Sequence, residues 1–306
     1  MAPGARGALR ALSVLGLCEA ALAAPARPHG ALPRHAYVHL PFCRRRCAYC
    51  SFPIAVVGDR PGAAAAAVRR YLGPLLREVE AAARHEGPRG GPPPEGLLDT
   101  VYIGGGTPSL APPSAIAEVL SSIHARFGIT AGAEVTLEAD PGTFDAATLD
   151  GFLEAGVTRV SLGIQSFDPD RLAAAGRAHS AADGRGAISL VRAARAEGRV
   201  ASWSLDLIGG LPGETLAGWE RTLQRALDAA PDHLSVYDLV LEPGSAYGRW
   251  AASGRLSGRL ALPGDERCAD MYRAASAALV SAGYEHYEVS SYARPGHRSR
   301  HNQAYW

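Results

Sequence analysis

The feature that most constrains the fold of this 306-residue sequence is a regular alternation of short β-rich runs with longer segments of helical periodicity. The β-rich runs occupy residues 36–40, 100–105, 134–139, 159–165, 203–210 and 233–239. Apolar residues spaced as on one helix face fall in residues 63–84, 112–127, 144–155, 181–197 and 215–229. Because helical crossovers join parallel strands, the sequence predicts an α/β fold, a partial (β/α)6 barrel of the TIM type.

Charge and the lengths of the apolar runs argue against nucleic-acid binding and against a membrane span. The 31 basic residues, all of them Arg, nearly balance 30 acidic residues, and the net charge of +1 gives no electrostatic footprint for nucleic acid. No uninterrupted apolar run reaches the length of about 18 residues that a membrane span needs. We therefore expect neither nucleic-acid binding nor a membrane span.

Unusual residues follow the predicted strands at their carboxyl ends. Cys43 follows the first run, residues 104–109 end and follow the second, Glu138 and Gln165 end the third and fourth, and Asp206 lies late in the fifth. In parallel α/β folds the ligand-binding side chains lie at the carboxyl ends of the strands. The sequence therefore predicts one site at that end of the barrel.

The strongest chemical signal is the stretch "HLPFCRRRCAYC", in which Cys43, Cys47 and Cys50 have the spacing C-x3-C-x2-C. Three of the chain's five cysteines lie here, which does not suit a dispersed disulfide framework. Thiolates bind zinc and iron-sulfur clusters, where about four ligands are expected, so three cysteines leave one position open. His39 could fill it in a Cys3His zinc site, and that alternative remains.

The triplet, with Tyr49 before the last cysteine, resembles the motif of the radical S-adenosylmethionine (SAM) superfamily. In that family the three thiolates hold a [4Fe-4S] cluster, and the amino and carboxylate groups of SAM complete the fourth iron. The segment "YIGGGTPS" after the second predicted strand resembles the glycine motif of the family. The resemblance thus implies that the missing ligand is the cosubstrate.

Four further segments are similar to one branch of the superfamily, which contains oxygen-independent coproporphyrinogen III dehydrogenases (oxidases) and the HemW group with its mitochondrial members. They are "EVTLEADP", "SLGIQSF", "AAGRAHS" and "DLIGGLPGET". The resemblance covers about residues 36–306 and implies a SAM pocket. Its residues would be Tyr37, Gly105, Gly106, Thr107, Glu138, Gln165, Arg177 and Asp206.

Two features favour the HemW group within this branch. Phe52 stands where the dehydrogenases carry a fourth cysteine, and "HNQAYW" resembles the H-N-x-x-Y-W motif that is implicated in haem contact, with His301 as the haem residue. The resemblance implies a haem chaperone that serves haem-accepting proteins and takes electrons from a donor to its cluster. The alternatives are a coproporphyrinogen dehydrogenase, which is an enzyme of porphyrin biosynthesis, and a zinc-stabilised interaction protein.

The sequence divides into three predicted parts. Residues 1–35 are rich in Ala and Arg with one acidic residue, Glu19, which favours an organelle-targeting peptide for mitochondrion or plastid over a secretory signal. A cytoplasmic location is the remaining alternative. Residues 36–245 form the predicted barrel, with a Pro/Gly-rich insertion at 86–95, and residues 246–306 form a C-terminal extension with a helix near 264–282. The resemblance implies an extension truncated relative to the family.

Overall fold

The structure is a computed structural model that describes residues 34–86 and 97–306. Its main sheet contains six consecutive parallel strands in the order β1, β4, β5, β6, β7, β8. Their bounds are β1 His35–Leu40, β4 Leu98–Gly105, β5 Ile129–Ala139, β6 Arg159–Gln165, β7 Ser202–Gly209 and β8 His233–Asp238. Between β1 and β4, the short strands β2 (Phe42–Cys43) and β3 (Ala55–Val56) pair with each other. The predicted parallel strands and the barrel-type α/β fold are confirmed.

Helices connect the parallel strands as the sequence predicts. They are α1 Ala63–Glu86, α2 Pro113–Phe127, α3 Ala146–Glu154, α4 Pro169–Ala174, α5 Ala181–Ala196 and α6 Leu216–Ala229. Local capping fixes their starts: Asp145 and Thr215 cap α3 and α6, and Ser180 forms a capping box with Asp183 at α5. The short helix α4 has less than two turns, too few for its apolar periodicity to be visible in the sequence.

The C-terminal part contains α7 Ala246–Ala252, α8 Asp265–Ser281, β9 Glu285–Glu288, β10 Ser291–Ala293 and α9 Arg300–Gln303. Strand β10 pairs antiparallel with β8 and β9 pairs antiparallel with β10, so this part continues the main sheet. The sequence predicted α8 but neither strand, because runs of four and three residues carry no clear alternation. The division at residue 245 stays a prediction.

The parallel strands have an apolar outer face and a polar inner face. Leu137, Val160 and Leu205 belong to the continuous hydrophobic core that the helices cover. The residues that precede or follow them, Thr136 and Arg159 among them, line an internal cavity instead. Successive strand residues point to opposite faces, so this alternation places the core outside the barrel and leaves a polar interior.

Two predicted segments fall outside the described residues. They are the targeting peptide, apart from its last two residues, and the Pro/Gly-rich insertion, apart from Glu86. Among the helices that the structure describes, none combines the length and apolarity needed to cross a bilayer.

Packing of α8 against α6 generates the first test. Trp219 of α6 is 1% exposed, and its indole N–H donates to the Met271 carbonyl at 2.9 Å. Trp219→Ala removes this anchor, and we expect a loss of about 3–5 kcal/mol in the free energy of unfolding, measured by urea denaturation. Trp306→Ala, at a residue 85% exposed, is the control and should change stability by less than about 0.5 kcal/mol. Equal losses in the two variants would contradict this account of the packing.

Candidate functional site

The three cysteines lie on a loop that the backbone fixes beyond the end of β1. The β2–β3 pair closes the loop, because Phe42 and Cys43 pair with Ala55 and Val56. Within it the Arg46 guanidinium donates to the carbonyl oxygens of Phe52 and Ile54 at 2.9 and 3.2 Å. The side chains of Cys43, Cys47 and Cys50 all line one cavity of about 450 Å³.

Two of the three thiols, those of Cys43 and Cys47, accept a hydrogen bond from a polar side chain. The Thr107 hydroxyl donates to Cys43 Sγ, and the Arg177 guanidinium donates to Cys47 Sγ, each at 3.5 Å. Burial raises the pKa of the Cys43 thiol to about 11, and burial also raises the pKa of Cys50. All three cysteines are free thiols, half-buried at the cavity wall.

The donor set does not have the geometry of a mononuclear zinc site. Within the described ranges, no three His, Cys, Asp or Glu side chains are arranged to hold one metal ion. His39 does not line the cavity: its Nε2 lies 3.0 Å from the Pro53 carbonyl oxygen and its Nδ1 lies 3.3 Å from the Tyr37 hydroxyl. Zinc needs about four donors around one atom, whereas a cluster binds each thiolate through a different iron.

The glycine turn after β4 packs directly against the cysteine loop. The Gly106 N–H donates to the Leu40 carbonyl and the Thr107 N–H donates to the Phe42 carbonyl, both at 2.8 Å. A Cβ on Gly106 would lie 2.7 Å from the Phe42 carbonyl oxygen, and Gly105 has φ +116°. Only glycine allows both this close approach and this backbone conformation.

Glu138 occupies the wall beside the glycine turn. Its carboxylate accepts from the Tyr102 hydroxyl at 2.9 Å and from the Gly105 N–H at 3.0 Å. Burial raises the pKa of Glu138 to about 7, despite these two donors. Tyr37, also predicted for the SAM pocket, does not line the cavity; its ring stacks on that of Tyr102 at 5.9 Å between centroids.

Gln165 and Asp206 line the cavity from β6 and β7. Gln165 has φ +63°, a left-handed conformation that is uncommon for a residue other than glycine. Asp206 accepts from the Ser161 hydroxyl at 3.0 Å, and burial raises the pKa of Asp206. Strained backbone of this kind is concentrated at ligand sites, where the surrounding structure holds it.

Arg177 is the most constrained charged group of the site. One of its terminal nitrogens donates to the Tyr49 hydroxyl at 2.8 Å, and the other donates to Asp140 and to the Gly163 carbonyl at 2.6 and 2.8 Å. His179 Nδ1 lies 2.6 Å from the same Asp140 oxygen, and Arg177 holds the pKa of Asp140 below its usual range against the effect of burial. The guanidinium thus positions the cysteine loop, and the contact of Arg177 with SAM stays a prediction.

His301 lies away from the cavity wall. It is 3% exposed, its Nδ1 lies 2.7 Å from the Thr100 hydroxyl, and its Nε2 lies 3.4 Å from the Tyr305 hydroxyl. Burial lowers the pKa of His301 to about 4, so the imidazole is neutral near pH 7. Its predicted haem contact stays a prediction.

The sequence analysis did not identify several polar residues of the site. Asp140 directly follows β5 within the segment "EVTLEADP", and its position after a strand end was the feature that could have identified it. Thr136, Arg159, Ser204 and His233 line the cavity from inside the barrel, and their inward direction follows only from the strand register. The three cysteines, Gly105, Gly106, Thr107, Glu138, Gln165, Arg177 and Asp206 are brought together in the same cavity.

Comparison with known proteins agrees with this arrangement. The model of the radical SAM superfamily matches residues 37–226, which span the cysteine loop and the parallel strands. The chain therefore belongs to the radical SAM superfamily.

Individual relatives narrow the comparison. The chain is 44% identical over 275 residues to a heme chaperone HemW of Synechocystis sp., covering 90% of this chain and 63% of that protein. It is 39% identical over 274 residues to the mitochondrial radical S-adenosyl methionine domain-containing protein 1 of Bos taurus, covering 88% and 56%. The chain thus spans less than two thirds of the length of these curated relatives.

A solved structure supports the same fold. Coproporphyrinogen III oxidase (HemN) from Escherichia coli, described as a radical SAM enzyme, superposes with a TM-score of 0.70 at 27% identity. The match covers 85% of this chain and 55% of that one. The predicted fold and family are confirmed.

The backbone at Gln165 generates the second test. Gln165→Gly and Gln165→Ala remove the same side-chain polar group, but only glycine adopts φ +63° without strain. We expect the glycine variant to be more stable than the alanine variant by about 1 kcal/mol in urea denaturation. Ala173, within α4, is the control position. There the Ala173→Gly variant should be less stable than the unmodified protein, because glycine is unfavourable in a helix. If the alanine form were more stable than the glycine form at both positions, the backbone strain at Gln165 would be contradicted.

Proposed function

We propose that this protein binds a [4Fe-4S] cluster through Cys43, Cys47 and Cys50, binds SAM beside it, and acts as a haem chaperone of the HemW type. The single observation that carries the proposal is that the three thiols share one cavity with the glycine turn, Glu138, Gln165 and Asp206. The family match and the HemW relatives support it.

The residues present fit the cluster. Three free thiols line the cavity and no fourth cysteine is in the loop, since Ser51 and Phe52 follow Cys50. Thr107 and Arg177 donate to two of the sulfur atoms, Cys43 Sγ and Cys47 Sγ, and so hold these side chains at the cavity wall. When bound, such a cluster supplies a one-electron reductant, and the protein binds and orients its partners.

The residues around the thiols fit a ligand with an amino group and ribose hydroxyls. The Gly106 backbone packs against Pro41 and Phe42 at the start of the cysteine loop, where a Cβ would not fit, so no side chain separates this turn from the loop. Glu138 on β5 and Asp206 on β7 are acceptors that line the cavity, and the Gln165 amide on β6, the strand between them, is the third polar group. Tyr37 supports Tyr102 from behind the wall, which would make its contribution indirect.

The cavity also has apolar side chains suited to a flat macrocycle. Phe52, Tyr237 and Val240 are 62%, 47% and 62% exposed, and all three line the same cavity. Exposed apolar groups beside a cavity are typical of binding surfaces, and aromatic rings stack on planar ligands. Haem ligation by His301 would require its Nε2 to exchange the Tyr305 hydroxyl for iron.

The alternative of a coproporphyrinogen dehydrogenase rests on the likeness to HemN. It is less favoured because Phe52 occupies the place of the fourth cysteine and identity to the HemW relative is higher. The zinc-stabilised alternative is less favoured because His39, its fourth ligand, does not line the cavity of the three cysteines and its Nε2 lies 3.0 Å from the Pro53 carbonyl oxygen. Haem-accepting proteins and an electron donor are the partners that the proposed function requires.

For location we propose the mitochondrion, on the similarity to mitochondrial relatives from Bos taurus, Danio rerio and Mus musculus. A plastid location stays a prediction from the composition of residues 1–35.

Anaerobic reconstitution tests the cluster. We expect brown protein with about four iron atoms and about four acid-labile sulfides per chain. Cys43→Ala, Cys47→Ala and Cys50→Ala should each abolish the colour, whereas Cys268→Ala, at a cysteine that does not line the cavity, should keep it. Protein that is colourless and contains only zinc would refute the proposal.

Two assays on the reconstituted protein separate chaperone from dehydrogenase. We expect haem binding in absorbance titration and haem transfer to an apo-haem protein, with no protoporphyrinogen formed from coproporphyrinogen. Binding should weaken at least tenfold in His301→Ala and remain unchanged in His124→Ala, a histidine near the end of α2. Formation of protoporphyrinogen would refute the chaperone function and favour the dehydrogenase. Unchanged haem binding in His301→Ala would show that His301 does not contact haem.

A further inference from the structure

The interior of the barrel contains a polar group of side chains below the cysteine loop. Thr136 pairs in register with Arg159, which pairs with Ser202, while Ser204 pairs with His233. Thr136, Arg159, Ser204 and His233 line the cavity and are at most 3% exposed. Closed barrels fill such inward positions with Val, Ile and Leu, so a polar set marks space for a ligand.

Arg159 is a buried cation without an ion-pair partner among the described residues. Its guanidinium donates to the Ser202 hydroxyl at 2.8 Å and to the His297 carbonyl at 3.4 Å, and no carboxylate lies within ion-pair distance. Asp206 lies near enough for Arg159 to lower its pKa against the larger, raising effect of burial, but it accepts from Ser161 and is not within ion-pair distance of Arg159. Glu138 accepts from Tyr102 and Gly105. A buried charge is costly unless it is paired, so the position favours an anion from outside the chain.

Two further polar atoms of the same wall have no partner in the described part of the chain. They are Thr136 Oγ1 and His233 Nδ1. The Tyr287 hydroxyl accepts from the Ser299 N–H at 3.1 Å and lies 2.8 Å from His233 Nε2. In the tautomer in which Tyr287 donates to Nε2, the proton of the neutral imidazole lies on Nδ1. In that tautomer the wall offers three donors to an anion: a guanidinium, a hydroxyl and an imidazole N–H.

We propose that Thr136, Arg159 and His233 form a subsite for a carboxylate group of a second ligand, the propionate side chain of a porphyrin. This rests on the proposed function, in which the carboxylate of SAM belongs to the iron at the cysteine loop. The row of Arg159 and Thr136 runs in register through Tyr102 to Tyr37. Tyr37 lies three residues before the end of β1, so this row of residues is about 10 Å below the cysteine loop. A SAM carboxylate bound at the loop would not reach Arg159, and the carboxylate at Arg159 would therefore come from a second ligand.

The first experiment uses small probes and the purified full chain. Propionate should raise the thermal unfolding midpoint, whereas propionamide at equal concentration and ionic strength should not. Thr136→Val is the sharpest variant, because the hydroxyl it removes has no hydrogen-bond partner among residues 34–86 and 97–306, so we expect the variant to fold. We expect about tenfold weaker propionate binding in Thr136→Val and Arg159→Met.

Thr222→Val is the matched control, since Thr222 is 2% exposed on α6 and does not line the cavity. Its propionate binding should equal that of the unmodified protein. Equal effects of propionate and propionamide, or unchanged binding in Thr136→Val, would overturn the subsite and leave ordered water as the occupant of these donors.

The second experiment compares protoporphyrin IX with its dimethyl ester by fluorescence titration. We expect the free acid to bind at least tenfold more tightly, with the preference lost in Thr136→Val and kept in Thr222→Val. A propionate effect without porphyrin binding would retain the anion subsite and refute the haem function. Porphyrin binding that ignores esterification would retain the haem function and refute the subsite as its propionate site.

Discussion

The close packing of the glycine turn against the cysteine loop is the constraint on which the rest of the site depends. Two backbone hydrogen bonds, from Gly106 to Leu40 and from Thr107 to Phe42, join the ends of neighbouring parallel strands. They set the height of Cys43 relative to the cavity and bring the Thr107 hydroxyl to its sulfur. A side chain at Gly106 would collide with backbone, which cannot move aside as a flexible side chain can.

A second group of contacts fixes the other side of the loop. Arg177 joins Tyr49 and Cys47 to Asp140 at the end of β5, and the Ala48 N–H donates to the Ala175 carbonyl at 2.9 Å. The loop is therefore held from two directions by elements that belong to different βα units. A metal centre whose ligands come from one short loop depends on such support, because the ligands alone do not orient it.

The sequence predicted a barrel of parallel strands and a site at their carboxyl ends, because the first follows from local periodicity and the second from a general rule of parallel sheets. Cys43, Glu138, Gln165 and Asp206 come together because each lies beyond or in the carboxyl-terminal half of a parallel strand. The role of Asp140, the inward position of Arg159 and the burial of His301 depend on side-chain direction and long-range packing, which periodicity does not contain. Strands β9 and β10 were missed because the pairing of β10 with β8, and of β9 with β10, is decided by the sheet edge rather than by their own residues.

The polar interior has an energetic consequence for the whole barrel. Burying Arg159 and His233 opposes folding unless each group is paired, and His233 Nδ1 has no partner in the described part of the chain. The outer faces of the same strands compensate, because Leu137, Val160, Leu162, Leu205 and Leu234 form a continuous core under the helices. The folding stability of the barrel therefore comes from the apolar layer between the sheet and the helices. The inner face of the sheet can then carry polar residues that bind ligands.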